Sequence, residues 1–214
     1  MPAEAYVFDA YGTLYDVHSV VTRCESCWPG NGAQLSQLWR AKQLEYTWQR
    51  SLMRNYVPFS TVTREALAYA CAALGLELSV AQMEGLMGEY LRLATYPDVA
   101  DSLKKLKTKQ AILSNGSPDM LAPLVENSGL KFDAVISVDE LKIYKPAPQV
   151  YELAVQKLGV PKERIGFVSS NCWDALGAKS YGFTVYWINR LDAPVDRLGF
   201  QPDRALKSLH EVLL

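Results

Sequence analysis

The stretch Ala5-Tyr6-Val7-Phe8-Asp9-Ala10-Tyr11-Gly12-Thr13-Leu14 runs from a short apolar segment straight into an acid and a glycine turn. An apolar run of that length, closed by a turn signal, reads as a strand buried on both faces of a parallel sheet. Asp9 then stands at the strand's carboxyl end. Four further runs have the same character: Gln110 to Leu113, Ala134 to Val138, Ile165 to Val168 and Thr184 to Ile188. Helical segments alternate with them in the second half of the chain. Pro118 to Asn127 has Ser117 as N-cap candidate, proline at its first position and Gly129 beyond its end; Ala147 to Leu158 stops before Gly159, and Cys172 to Tyr181 before Gly182. The alternation implies an α/β fold, a doubly wound parallel sheet of Rossmann-like type.

Between the first and second strands lie about a hundred residues, where a crossover needs only about a dozen. The excess reads as an inserted helical cap domain, residues 17–95, set into a core of residues 1–16 and 96–214. Within it Leu44, Trp48 and Leu52 repeat at i, i+4; Leu67, Ala70, Cys71 and Leu74 follow i, i+3, i+4, i+7; and Ser79 with Gln82 forms a capping-box candidate ahead of Met83, Leu86, Met87, Tyr90 and Leu91. Val99 to Leu106 is the core helix that leads into the second strand.

Length and composition narrow the class. A chain of 214 residues, 49% hydrophobic, is long enough for a sizeable core, and disordered or collagen-like classes are excluded. A net charge of -1 offers no basic stripe for a phosphate backbone, so nucleic acid is not an expected partner. No run of eighteen apolar residues occurs, and Met-Pro-Ala-Glu-Ala does not resemble a secretory leader, so the expectation is a cytoplasmic protein that binds no membrane. The four cysteines are expected to be reduced; Cys24 and Cys27 form a C-x-x-C that lacks the second pair or histidine of a zinc site and the preceding strand of a redox motif. His18 and His210 are too few and too scattered for a histidine-centred site. The sequon at Asn115-Gly116-Ser117 has no meaning without secretion. No repeat, Walker sequence or dinucleotide fingerprint is present, Gly30-Asn31-Gly32 having no strand before it.

Ligands of an open parallel sheet sit beyond the carboxyl ends of its strands, and polar residues collect there. Asp9 and Thr13 follow the first strand, Ser114, Asn115 and Ser117 the second, and Ser169, Ser170, Asn171 and Asp174 the fourth, with Lys145 in the loop after the third. Any one of them alone is better explained as a helix cap or turn former. Their joint occurrence at three strand ends is what points to chemistry.

F-D-A-Y-G-T-L at Phe8 to Leu14, S-N-G-S at Ser114 to Ser117, K-P-A-P-Q-V-Y at Lys145 to Tyr151 and S-S-N-C-W-D at Ser169 to Asp174 resemble the successive motifs of the haloacid dehalogenase superfamily, specifically the L-2-haloacid dehalogenases. The resemblance spans the chain, including W-R-A-K-Q-L-E-Y-T-W at Trp39 to Trp48, which is similar to the family's cap helix and puts Arg40 on the position of its arginine. It implies hydrolysis of short L-2-haloalkanoic acids to 2-hydroxyalkanoic acids of inverted configuration, through an ester on Asp9 and with no metal or cofactor. Thr13 would orient the nucleophile and Lys145 keep it ionised; Arg40 and Asn115 would receive halide; Ser114 and neighbouring backbone amides would hold the substrate carboxylate. Asp174 is the candidate for activating water, placed by Ser169 and Asn171. Ala10, Tyr11, Phe59, Tyr151 and Trp173 would complete the substrate wall. Ala41 is small where relatives of this type often carry a polar residue, a departure that leaves pocket shape, and hence preferred substrate size, open. A homodimer is implied, with Trp39 to Tyr56 as one candidate surface. The haloacid and the halide product are the expected small-molecule partners.

Two other readings are open to the same fold. A magnesium-dependent phosphatase of this superfamily carries an acid two residues after the nucleophile and further acids in the fourth motif; here those places hold Tyr11 and Ser169, Ser170 and Asn171. A catalytically silent scaffold binding a small carboxylate or a partner would have no need of so many polar residues at strand ends.

Overall fold

The computed structural model describes residues 3–213; residues 1, 2 and 214, the outermost ends of the expected core range, lie outside the described residues. Six strands form one sheet: β1 (Ala5–Phe8), β2 (Lys109–Ser114), β3 (Ala134–Ser137), β4 (Ile165–Ser169), β5 (Thr184–Ile188) and β6 (Arg204–Leu206). All neighbours pair in parallel, in the order β3-β2-β1-β4-β5-β6. The doubly wound parallel sheet read from the sequence is therefore present, with β6 as an edge strand that the apolar runs did not reveal. Phe8 pairs with Ile112 on one side and Val168 on the other, so the chain leaves β1 between the ends of β2 and β4. Strand order reverses at β1, which opens the crevice there.

Every residue of β4 is buried, as are Ala5, Val7 and Phe8 of β1. Such strands need cover on both faces. Helices α5 (Val99–Lys105), α6 (Pro118–Ser128), α7 (Pro148–Leu158) and α8 (Cys172–Tyr181) belong to this half of the molecule. Gly129 and Gly159 close α6 and α7 at φ 67 and φ 62, left-handed values that a Cβ disfavours, which is why both glycines mark helix ends in the sequence.

The segment between β1 and α5 is helical, as its periodicity implies: a 3-10 turn (Val17–Val20), α1 (Val21–Cys27), α2 (Gly32–Leu52), α3 (Phe59–Ala73) and α4 (Val80–Glu89). Ser79 and Gln82 make the expected capping box at α4. The buried face of α2 is not the row of Leu44, Trp48 and Leu52. Leu35, Ser36, Trp39, Gln43 and Thr47 face inward, whereas Leu52 is 85% exposed. The inward polar groups are satisfied locally: Trp39 Nε1 donates to the Thr63 carbonyl (2.8 Å), Gln43 Nε2 to Thr63 Oγ1 (2.7 Å) and Thr47 Oγ1 to the Leu44 carbonyl (2.6 Å). Leu44 and Trp48 are thereby left to line cavities.

Two crossings join this segment to the sheet, and they are zipped together. Asp16 N donates to the Ala94 carbonyl (2.8 Å) and Tyr96 N to the Leu14 carbonyl (3.1 Å). Buried side chains of the helical segment and of the sheet form one continuous cluster. All four cysteines are free thiols. Among the described residues no helix is long and apolar enough to cross a membrane.

Candidate active site

The turn after β1 sets the site. Thr13, Leu14 and Tyr15 all donate backbone N–H groups to the Ala10 carbonyl, and Gly12 sits at φ 90, where a side chain would be strained. The turn brings Thr13 back under Asp9: Thr13 Oγ1 donates to Asp9 Oδ2 (2.9 Å) while accepting from Ser170 N (2.8 Å). Asn171, the residue before α8, adds a second donor to the same oxygen, Nδ2 to Oδ2 at 2.8 Å. Ser169 Oγ accepts from Asn171 N (3.1 Å) and so shapes the β4 end rather than reaching Asp9 itself.

Lys145 completes the arrangement from the loop before α7. Its Nζ lies 3.1 Å from Asp9 Oδ1 and 2.9 Å from Asp174 Oδ2, with all three side chains buried. Burial pulls the lysine's pKa down, but the carboxylates of Asp174 and Asp9 outweigh it and the net displacement is upward, so the ammonium stays charged. Asp174 is pushed up to about 6, mainly by burial, with Lys145 opposing and Asp9 adding to the rise. Its other oxygen accepts from Tyr151 OH (2.8 Å). Tyr151 is fully buried, its ring packed against Phe167 and Phe183, and its hydroxyl braces Asp174. A phenol that donates to a buried carboxylate does not give up its proton; burial, then Asp174, hold the Tyr151 pKa well above the ordinary value.

The helical segment supplies the opposite wall. Arg40 Nη2 donates to the Tyr11 carbonyl (3.2 Å), the same oxygen that accepts from Asn171 Nδ2 (3.0 Å). One carbonyl thus ties the guanidinium on α2 to the amide that touches Asp9. Gln43 holds the other side of the guanidinium, accepting from Arg40 Nη1 at 2.7 Å. Among the described residues Arg40 has no carboxylate partner. The Tyr11 ring lies 5.4 Å from that of Phe59, and both are buried. Burial drives the Tyr11 phenol far above its ordinary pKa, so it cannot serve as a proton donor near neutral pH. Ser114 is buried, its hydroxyl accepting from Gly116 N (3.0 Å); Asn115 Oδ1 accepts from Lys145 N (2.9 Å) and so fixes the lysine's backbone.

A cavity of about 380 Å³ opens here, lined among others by Gly12, His18, Arg40, Leu44, Asn171 and Trp173. Trp173 also borders a second cavity, of about 730 Å³, shared with Trp48, Leu52 and Lys145. Trp173 lines both cavities, and its ring meets that of Trp48 edge to face at 5.5 Å. Tyr11 OH and Trp173 Nε1 are buried donors without an acceptor among the described residues. Ala41 is exposed and lines neither cavity.

The structure therefore gathers Asp9, Thr13, Lys145, Asn171, Asp174 and Arg40 around one point. Ser169, Ser114 and Asn115 support it through the backbone. Gln43, His18 and Trp48 were not anticipated as site residues. For Gln43 a signal existed, a polar residue three positions after an arginine on a buried helix face.

Comparison with known proteins agrees with this geometry. The family model described as haloacid dehalogenase-like hydrolase matches residues 3–182. An (S)-2-haloacid dehalogenase of Pseudomonas sp. strain YL is 50% identical over 211 residues, 96% of this chain and 91% of that protein. The crystal structure of the L-2-haloacid dehalogenase RSc1362 superposes with a TM-score of 0.97 at 45% identity, covering 100% of this chain and 98% of that one. The L-2-haloacid dehalogenase from Xanthobacter autotrophicus, in a structure with chloropropionic acid covalently bound, gives 0.93 at 43% identity over 98% of this chain and 96% of that one. With an aspartate at the switch point of a doubly wound sheet, and relatives matched along nearly its whole length, this chain belongs to the haloacid dehalogenase-like hydrolases.

Proposed function

We propose that the protein hydrolyses short L-2-haloalkanoic acids to 2-hydroxyalkanoic acids of inverted configuration, with Asp9 as covalent nucleophile. The observation that carries this reading is the Asp9 carboxylate, fixed by three donors, and joined through Asn171 and the Tyr11 carbonyl to a guanidinium that has no carboxylate partner among the described residues. One Asp9 oxygen attacks C2 of the substrate in line, the carbon–halogen bond breaks, and the halide leaves with the bonding pair. Halide needs no proton, so the proton-retaining Tyr11 two residues on is no handicap. Arg40 and the unpartnered donors of Tyr11 and Trp173 are available to the halide and to the substrate carboxylate. The names of the relatives, and the covalently bound chloropropionic acid of the Xanthobacter protein, support the same substrate class.

Water then adds to the Asp9 carbonyl carbon. Its proton passes to Asp174, whose value near 6 leaves it charged at neutral pH yet basic for an aspartate. Collapse releases the hydroxyacid, whose departing oxygen, originally one of Asp9's, takes the proton back from Asp174, and water's oxygen remains on the carboxylate. Lys145 pairs with two carboxylates in the resting site and with Asp174 alone once Asp9 is esterified, so an ammonium stays beside the developing oxyanion. In this reading residues 17–95 act as a cap that excludes water, and two copies pair through the 39–56 stretch, where Leu52 and Met53 are exposed.

A divalent cation does not fit this donor set. The Lys145 ammonium already occupies the space between Asp9 and Asp174, and Ser169, Ser170 and Asn171 bring no charge. Among the described residues no three His, Cys, Asp or Glu side chains cluster to hold a metal. The test is halide release from L-2-chloropropionate in EDTA, expected to persist in the wild type and vanish in Asp9→Ala. Single turnover in heavy-oxygen water should place the label on Asp9. Magnesium-stimulated phosphate release without halide release would overturn the reading.

A further inference from the structure

Arg190 lies two residues beyond β5, at a strand end where the sequence showed no cluster. Its guanidinium reaches both crossings between the sheet and the helical segment. Nη2 lies 3.4 Å from the Thr13 carbonyl on the outgoing crossing. Nη1 lies 2.7 Å from Asp98 Oδ2 on the returning one, and Cζ sits 4.3 Å above the Tyr96 ring. The pair is largely covered, Arg190 being 18% and Asp98 10% exposed at the side chain. The same Asp98 oxygen accepts from Leu209 N (2.7 Å), which anchors the C-terminal turn beneath it. Ser102 Oγ donates to the Asp98 carbonyl (2.6 Å), so its contact with His210 Nδ1 (2.9 Å) has the histidine as donor. This hydrogen-bonded framework ends at the Thr13 carbonyl, on the same residue as the hydroxyl that holds the nucleophile.

We propose that Arg190 is a positioning residue for the esterification step, acting through Thr13. Resting on the reading of Asp9 as nucleophile, the mechanism is geometric. Arg190 fixes the Thr13 peptide relative to Asp98 and Tyr96; Thr13 Oγ1, held from the other side by Ser170 N, then fixes the Asp9 carboxylate plane. Because Arg190 grips both crossings, the position of the helical segment that carries Arg40 and the orientation of Asp9 are set by one side chain. It also borders the cavity that Arg40 and Asn171 line, so it acts at the rim of the site without touching the reacting atoms. Misplacement of a nucleophile by about 1 Å costs up to about a hundredfold in rate.

The experiment measures the single-turnover rate at which L-2-chloropropionate esterifies Asp9, by rapid quench and mass spectrometry, in wild type, Arg190→Met, Arg190→Lys, Asp98→Asn, Thr13→Val and the Thr13→Val/Arg190→Met double variant. Arg190→Met is expected to slow esterification about tenfold or more, with KM little changed. Lysine, which keeps the charge but cannot fork to both partners, should restore part of the rate. Asp98→Asn should slow the step less than Arg190→Met, and it carries the test if that variant fails to fold. In the Thr13→Val background, adding Arg190→Met should cost nothing further. Equal losses in both backgrounds, an unchanged rate in the single variants, or a loss confined to KM would each overturn the positioning role. No ester on wild-type Asp9 would instead overturn the functional reading on which the role rests.

Discussion

Two kinds of cation–carboxylate pairing occur in this molecule, in regions that share a continuous core. On the helical segment, Arg64 of α3 meets Glu84 of α4 at 2.7 and 3.2 Å, with both side chains well exposed, 44% and 59%. At the carboxyl edge of the sheet, Lys145 meets Asp9 and Asp174 at 3.1 and 2.9 Å, with Lys145 and Asp174 out of solvent and Asp9 8% exposed at the side chain. The exposed geometry is the tighter one, since it is a two-point fork. Yet water screens it, and exposed pairs contribute little. The buried triad has one cation for two anions, which leaves excess negative charge exactly where a carboxylate must stay reactive. Environment, not distance, separates a surface tie from a working part.

The largest effect expected from that contrast is at Lys145. Lys145→Met keeps the stem and removes the charge, so two carboxylates face each other in a dry site. Breaking a buried pair costs about 3–5 kcal/mol, and losing a fixed cation from a reacting site costs about 10²–10³ in rate. Halide release should fall by at least that factor. Stability of the variant should be lowest at high pH and recover on acidification, because Lys145 is what restrains the rise in the Asp174 pKa. A thermal scan at pH 8 and pH 5 checks the sign; a variant equally stable at both would show that the triad carries no excess charge.

Tyr151→Phe is a milder disturbance of the same triad. The Tyr151 hydroxyl lowers the Asp174 pKa, so its loss should move that value further above 6. Asp174 is raised in the folded chain above its ordinary 3.8, so between these values the folded state holds a proton that the unfolded chain has released. The group therefore favours folding below about pH 4 and loses that contribution as pH rises through 6. In Tyr151→Phe the window extends upward, so the variant should be more destabilised relative to wild type at pH 8 than at pH 5, by about 1 kcal/mol. The acid limb of kcat, expected below pH 6 in wild type because the Asp9 charge that helps raise Asp174 is absent from the ester, should shift up with it. An unmoved limb would remove Asp174 from the water step.

Much of this was legible in advance where burial is complete. Strands covered on both faces must be apolar throughout, and β1, β2, β4 and β5 stand out for that reason, as do helices closed by Gly129 and Gly159. β6 escaped because it has three residues, of which only Leu206 is buried. The row of Leu44, Trp48 and Leu52 predicts the α2 helix but not its inward face, because hydrophobic spacing does not distinguish a face buried in the core from one that borders a cavity. There Gln43 and Thr47 go inward because partners exist for them, a fact of tertiary structure. Asp9, Lys145 and Asp174 could be picked out as strand-end residues, but not that Lys145 lies between the two acids. Tyr151 reads as an aromatic wall until its hydroxyl is seen on Asp174. Arg190 follows β5 at the kind of position where the other site residues were found, but it stands alone in the sequence, and its partners Asp98 and Thr13 are distant along the chain.

The smallest effect should come from the exposed fork. Arg64→Gln keeps most of the stem, so packing along the groove that Arg64 shares with Leu78 and Met83 is retained while the charge is lost. Glu84 then faces solvent and is hydrated at no appreciable cost, unlike Asp9 or Asp174 without Lys145. The expected change in Tm is at most about 3 °C, vanishing when wild type and variant are compared at about 0.5 M salt, where screening acts within a few ångströms. Halide release should be unchanged, since Arg64 touches no residue of the site. A larger shift that survived salt would mean that the fork fixes α3 against α4 by geometry rather than charge. A change in kcat would mean that the packing of α3, which carries Phe59 onto Tyr11, is tuned from the far surface of the helical segment.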